Sequence, residues 1–398
     1  MSMKYEEKML IEMCKDCFDY STIKYPLIDW RNLLVQSTIH KVLGKLYPFF
    51  ANDNNVPKWF RVLLKNTYYW QKESGTVKLR EFSKIITEIQ KTGIDAIVLK
   101  GCFLVPCLYR DLGIRGFSDL DILVEEENVQ RICEILHDMG YVQGEYNEKE
   151  DRIILCPKSV IDERSSQLQH ESEFVKVDRS HAVPIVFYIE VHHRLETVFD
   201  HTHLDTKRLF ENRVPFKLVN STASRLSNED MLVHLCYHNY WHTQSLQDVY
   251  ERRDIMLRNY MDIRLFIKEM EVCWKEILRL KSDVNLWETI SYSLYFCHQI
   301  FGDVLPENIL AELDQTHIEV QEKKIYDRWI VKKGKRRPLG EYNVSFLDRV
   351  FALNRFDLAV SCCDFSEYSK EAVEEYFYFF LHSAKIYNMG LTDESQSE

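Results

Sequence analysis

The chain has 398 residues, 45% of them apolar and 28% charged, with a formal net charge of −11. That length allows one large domain or two to three ordinary ones, and the composition is that of a soluble globular chain with a sizeable core. Its 12 glycines and 9 prolines exclude a turn-rich β fold, and its acidity gives no overall help in gripping nucleic acid. No run approaches the ~18 uninterrupted apolar residues of a membrane span, and the first residues, Met1 to Lys8, lack the apolar core of a signal peptide. Eleven cysteines scattered without framework spacing predict free thiols in a cytoplasmic protein.

Residues 3–20 place Tyr5, Met9, Leu10, Met13, Cys17 and Phe18 near helical spacing, and residues 29–51 repeat the pattern with Trp30, Leu33, Leu34, Ile39, Val42, Leu43, Leu46 and Phe49. Asn52-Asp53-Asn54-Asn55 interrupts it. Pro57 suits the first turn of a further helix, which runs to about Thr92 with a break near Gly75 and stops at Gly93. Residues 1–93 therefore read as a helical N-terminal region.

Ile94 to Leu99 is short, apolar and β-branched, the pattern of a buried strand. Lys100-Gly101 breaks it, and Phe103 to Tyr109 reads as about two helical turns ending near Gly113. A second strand, Ser118 to Val124, turns Leu120, Ile122 and Val124 to one face and Asp119 and Asp121 to the other. Two carboxylates on one strand face repel unless a cation sits between them. A helix follows from Asn128 to Met139, capped by Gly140. Strands are expected at 152–156, 173–177 and 185–193, with 158–171 a loop or hairpin excursion. Residues 204–212 read as helical and 214–219 as one more strand. From Ser227 the pattern is helical again, near 228–242, 258–281, 285–301, 305–313, 345–354 and 368–385, before a polar tail. The organisation expected is a helical region over 1–93, a catalytic core over 94–220, a helical domain over 221–390 and a tail over 391–398.

Taken in series, Leu99-Lys100-Gly101, Tyr109, Arg115, Ser118-Asp119-Leu120-Asp121-Ile122-Leu123-Val124, Gly140-Tyr141 and Ile189-Glu190-Val191-His192 resemble the nucleotidyltransferase superfamily, in which a strand ends in glycine, a helix starts at once and the next strand carries Asp-x-Asp. The nearest resemblance, over about residues 94–265, is to a bacterial, largely uncharacterised nucleotidyltransferase-like family. It implies an α+β fold, a nucleotidyltransferase-like mixed sheet flanked by helical N-terminal and C-terminal regions. It also implies transfer of NMP from an NTP, ATP or another, to a hydroxyl-bearing acceptor, with release of pyrophosphate. Asp119 and Asp121, with Glu190 as the third acid, would be the catalytic and metal-holding residues, taking two Mg²⁺ ions or Mn²⁺ in their place. Glu190 shares its strand face with Tyr188 and His192 and sits amid an apolar run, where an acid needs a partner. Lys100, Gly101 and Cys102 would cradle the nucleotide's phosphates, although cysteine stands where the superfamily carries Gly or Ser, which removes a hydroxyl donor. Arg115 and Ser118 would contact phosphate or hold the loop. His192 would orient Glu190, meet the nucleotide or assist proton transfer.

The acceptor implied is a small molecule, sugar, peptide or protein, and toxin-like relatives make RNA a further candidate that the acidic charge does not favour. The rival class is a nucleotide- or partner-binding module on the same fold without turnover. His234, His238 and His242 recur every four residues on one predicted helix, where satisfied core or cleft-lining histidines outweigh a metal site. Asp262 would bind the acceptor or, the favoured structural reading, cap its helix and pair with Arg264 or a histidine. Cys14 with Cys17, and Cys362-Cys363, read as packing. Lys332-Lys333-Gly334-Lys335-Arg336-Arg337 is the one basic run; a solvated loop is its simplest reading.

Overall fold

The computed structural model describes residues 3–15, 18–158, 161, 171–196, 204–326, 331–332, 335–336 and 338–366. Two compact units result, Met1–Tyr240 with Met256–Gln315, and Trp241–Ile255 with Thr316–Glu398. The first holds an eight-stranded mixed sheet: β1 (Ile97–Val98), β2 (Asp119–Leu123), β3 (Val142–Asn147), β4 (Arg152–Leu155), β5 (Phe174–Asp178), β6 (Ile185–His192), β7 (Val214–Leu218) and β8 (Ser221–Arg225), in the order β4-β3-β5-β6-β2-β1-β8-β7. β2 lies parallel to β6 and β1 parallel to β8; the remaining neighbours are antiparallel.

One face of the sheet is closed by the long helix Lys58–Lys91 and by the helix Val129–Asp138. Leu79, Phe82, Ile85, Ile86 and Ile89 from the first, and Ile132, Ile135 and Leu136 from the second, share a core with Leu120, Ile122, Val124, Phe187, Ile189 and Val191 of the strands. The long helix does not break at Gly75, as the sequence reading expected, but runs through all 34 residues. A mid-helix glycine costs about 1 kcal/mol, whereas each large apolar side chain that the helix buries contributes roughly 1.5–3 kcal/mol, so packing decides. Gly93, at φ +80°, ends that helix, and Gly140, at φ +84°, ends Val129–Asp138, both in the left-handed conformation that glycine adopts freely.

Two strands of the eight-stranded sheet lie outside the sequence reading. β3 carries a central Gly144, whose missing Cβ leaves room for the Ile154 carbonyl. β8, Ser-Thr-Ala-Ser-Arg, has weak strand propensity; it forms through the hairpin with β7, in which Leu218 pairs with Ser221 across Val219-Asn220, with Val219 held at φ +52°. The first predicted strand shrinks to Ile97–Val98. The helix after Lys100 begins at Gly101 and continues as a π-helical stretch, Val105–Tyr109. The predicted helix 258–281 is two, Leu257–Glu269 and Trp274–Arg279.

The second unit has a small core of Leu246, Val249, Ile325, Leu339, Tyr342 and Ala359. It holds two buried ion pairs, Arg355 with Asp254 at 3.0 Å and Arg349 with Glu322. In the basic run, the backbone of Val331–Lys332 pairs antiparallel with Lys335–Arg336; its side chains, most of 158–171, Cys17, the helix predicted at 368–385 and the polar tail lie outside the described residues. No described helix is long and apolar enough to cross a membrane.

Candidate active site

With Leu120, Ile122, Ile189 and Val191 committed to the core, strand alternation turns the intervening residues to the opposite face. The parallel register sets Asp121 directly beside Glu190, Leu123 beside His192 and Asp119 beside Tyr188. Neighbours in a parallel pair share a face, so Asp119, Asp121, Glu190 and His192 stand on one side of the sheet. His192 Nε2 lies 3.4 Å from Asp121 Oδ1 and 3.2 Å from Glu190 Oε2. One donor atom from each of Asp121, Glu190 and His192 falls within 4.8 Å of the other two. Asp119, two residues upstream and half-buried, accepts a hydrogen bond from Ser118 Oγ at 3.2 Å.

Lys100 closes the group from β1. The Leu99 N–H donates to the Asp121 carbonyl at 2.9 Å, and Lys100 Nζ reaches Asp121 Oδ1 at 3.2 Å. The Lys100 backbone sits at φ +43°, ψ −123°, a conformation that strains a residue with a Cβ by about 1–3 kcal/mol. Burial pulls the Lys100 pKa down, but Asp121, Glu190 and Asp119 outweigh it and hold the ammonium above its ordinary value. His192 behaves alike: burial opposes its charge, while hydrogen bonds to Asp121 and Glu190 prevail and raise its pKa. The acids thus draw positive charge inward from two sides.

The donor set fits a divalent cation. Two carboxylates and an imidazole converge, Asp121 is 1% exposed, and the neighbouring acids hold cationic side chains that a metal would relieve. Carboxylate oxygens suit Mg²⁺ and Mn²⁺, and an imidazole nitrogen is better tolerated by Mn²⁺.

The remaining predicted residues divide. Gly101 is tight because the space of its absent Cβ lies 3.0 Å from Phe117 Cβ and 3.2 Å from Arg115 Nη1. Cys102 is fully buried, its thiol directed to the Asp119 carbonyl at 3.5 Å, and burial followed by Asp121 and Asp119 pushes its pKa well up. Ser118 is exposed beside Asp119. Arg115 is buried and grips Asp262 with both ends of its fork, Nε to Oδ1 at 2.9 Å and Nη2 to Oδ2 at 2.6 Å, while Tyr109 donates to the same Oδ1 at 2.7 Å. Asp262 therefore pairs with Arg115 rather than with Arg264, whose partner is Asp303.

Two nearby residues escaped the sequence reading as site members. Glu173 stands one step beyond the Phe174–Ile189 pair of β5 and β6, opposite Glu190. Burial, then the Glu190 charge and a hydrogen bond with its carboxyl, push the Glu173 pKa up. Only the hairpin register could have flagged it. His234, on the helix Asn228–Thr243, is buried, and neither ring nitrogen has a hydrogen-bonding partner within the described residues. Burial, then the positive charges of Lys100 and His192, lower its pKa to about 3. It is therefore not a satisfied core histidine; His242, two turns on, pairs with Asp248 at 3.0 Å.

No curated protein matches the chain. A solved structure, that of an antigenic nucleotidyltransferase-like protein from Paracoccidioides brasiliensis, is 12% identical and covers 54% of this chain and 92% of its own, at a TM-score of 0.27; so loose an overlap says nothing about chemistry. A family described as uncharacterised nucleotidyltransferase matches residues 26–302, a span that takes in the whole sheet, the Asp119–Asp121 strand, Glu190 and the Arg115–Asp262 clamp. The chain belongs to that nucleotidyltransferase family.

Proposed function

We propose that the protein transfers a nucleotidyl group from an NTP to an acceptor hydroxyl. The observation that carries this reading is the pairing of Asp121 with Glu190 in parallel register, with Lys100 and His192 gathered on them. Asp119, Asp121 and Glu190 would hold Mg²⁺, two ions in the full arrangement, or Mn²⁺. A bound ion would neutralise phosphate charge and fix the entering and leaving oxygens in line. The Lys100 ammonium, beside Asp121, would meet a phosphate oxygen, and the turn at Gly101 and Cys102 would bring the backbone against the polyphosphate. The acceptor oxygen bonds to the α-phosphorus as the bond from that phosphorus to the α–β bridging oxygen breaks. Pyrophosphate leaves with the bond's electrons, and the hydroxyl proton passes to Glu190. Of its two expected roles, holding the loop suits Arg115 better, because both ends of its guanidinium are engaged by Asp262. The acceptor class is a small molecule, sugar, peptide or protein.

The test is pyrophosphate release and self-labelling with each of the four NTPs and Mg²⁺ or Mn²⁺, in wild type and Asp121→Asn. Turnover that falls by about 10²–10³ in the variant supports the reading. NTP binding without turnover across a broad acceptor panel converts it to a binding module, and no divalent-dependent NTP binding ends it.

A further inference from the structure

The helix Leu257–Glu269 presents Arg258 and Asp262 four residues apart, and so on one face. An Arg–Asp pair at that spacing can close. Here it does not, because both carboxylate oxygens of Asp262 are taken by Arg115, and Tyr109 donates to one of them as well. Arg258 is left half-buried, its Nε shielded from solvent and unpartnered, with no ion pair or hydrogen bond to its guanidinium among the described residues. Its backbone is nonetheless fixed: its N–H donates to the His40 carbonyl at 3.3 Å, and the preceding Leu257 N–H donates to His40 Nδ1 at 3.2 Å.

Two guanidinium groups thus share one carboxylate, and Arg115 has it. Arg115, which holds the neighbouring Asp262, has its Nη1 3.2 Å from the place a Cβ on Gly101 would occupy, so the helix face that Arg258 shares with Asp262 is tied to the Lys100-Gly101 turn. Burial and the Arg115 charge press the Arg258 pKa down, while Asp262 and Asp119 work against them. A half-buried guanidinium held by its backbone and denied its natural partner is unfavourable alone and suited to a planar, multidentate oxyanion.

We propose that Arg258 is a phosphate-binding residue of this protein, contacting the polyphosphate of the bound nucleotide together with Lys100. The assignment of that polyphosphate to an NTP rests on the proposed function; the anion site itself does not. Its consequence is that the helix Leu257–Glu269 carries both the group that positions the Arg115 loop and a group that grips the substrate.

The test uses inorganic tripolyphosphate and ATP as probes, titrated by calorimetry into the full chain with Mg²⁺, for wild type, Arg258→Met and Arg258→Lys, with adenosine as a phosphate-free control and Arg110→Met as a surface-charge control. Arg258→Met should weaken tripolyphosphate and ATP by at least tenfold, leave adenosine and the melting temperature unchanged, and flatten the salt dependence of binding. Arg258→Lys should recover part of the loss. Tripolyphosphate binding within twofold of wild type in Arg258→Met overturns the proposal, as does a loss that extends equally to adenosine, or a wild type that binds no tripolyphosphate. A wild type that binds tripolyphosphate through Arg258 but releases no pyrophosphate from any NTP upholds the anion site and sinks nucleotidyl transfer alone.

Discussion

The Arg115–Asp262 clamp joins residues 147 positions apart at 2.9 and 2.6 Å, with side-chain exposures of only 6% and 5%. Removing one member of a buried pair strands the other charge and costs about 3–5 kcal/mol. Asp262→Ala strands Arg115, whose one other protein acceptor shown is the Gly116 carbonyl at 3.3 Å, and also takes the acceptor from Tyr109. At about 2 °C per kcal/mol for a unit of this size, melting should fall by roughly 6–10 °C. The double variant Arg115→Met/Asp262→Leu replaces both charges with apolar bulk, so it should recover most of the loss. Urea denaturation of wild type, both single variants and the double variant measures the coupling directly. If Arg115 holds the loop, the double variant retains NTP affinity within about threefold, since the loss is only the modest residual disturbance of a repacked clamp. A loss below about 1 kcal/mol in Asp262→Ala would refute the burial argument. A normally stable double variant that no longer binds NTP would refute the structural role and return Arg115 to the nucleotide.

Three further outcomes follow from the same coordinates. Gly113→Ala puts a Cβ 2.4 Å from the Tyr68 ring, which is stacked on Tyr47 at 3.8 Å and hydrogen-bonded to Asp111, so overpacking should cost at least about 1–3 kcal/mol; Gly75→Ala, whose Cβ meets Leu112 and Phe117 at ordinary distances, should stabilise the long helix by roughly 0.5–1 kcal/mol, and thermal melts check both. Glu81 bridges Lys176 and Lys84 at 2.9 Å each; burial alone would raise its pKa, yet the two ammonium groups hold it below its ordinary value. A depressed folded pKa stabilises above the unfolded value and loses that contribution as pH falls through the folded one, so Glu81→Gln should melt below wild type at pH 7 and converge with it in acid. Mn²⁺ at 100 times its Kd should stabilise wild type by about 2.7 kcal/mol and leave Asp121→Asn and Glu190→Gln unmoved; an equal shift in the variants would place the ion elsewhere.

What the sequence carried was what depends on local alternation. Asp119 and Asp121 are out of phase with Leu120, Ile122 and Val124, and Glu190 with Ile189 and Val191; a strand with one buried face has no freedom in which side chains it turns away. Gly93 and Gly140 marked helix ends for an equally local reason. What it did not carry depends on pairing between distant segments. β8 has the composition of a loop and is a strand because β1 and β7 bracket it. Glu173 belongs with Glu190 only through the β5–β6 register, and the competition between Arg115 and Arg258 for Asp262 exists only after the helix Leu257–Glu269 docks. Gly75 shows the converse, a real local signal overruled by burial along the rest of its helix.

The charge balance of the site separates groups that hold the fold from groups that await a ligand. Asp262 is matched by Arg115, and Glu81 by two lysines; these are closed pairs. Around β2 and β6 the matching is incomplete in both directions. Asp121 and Glu190 draw in Lys100 and His192 and still raise the pKa of Glu173, while Arg258 Nε and both His234 ring nitrogens lack hydrogen-bonding partners among the described residues. On the proposed function, the excess negative charge at the carboxylates would take a metal cation and the Arg258 guanidinium an anion. A metal polyphosphate supplies both in one molecule, with the cation adjoining its own phosphates. On the proposed function, the same pairing would account for Lys100, whose strained backbone a glycine would relax: its ammonium would neutralise Asp121 in the free protein and meet a phosphate oxygen in the complex.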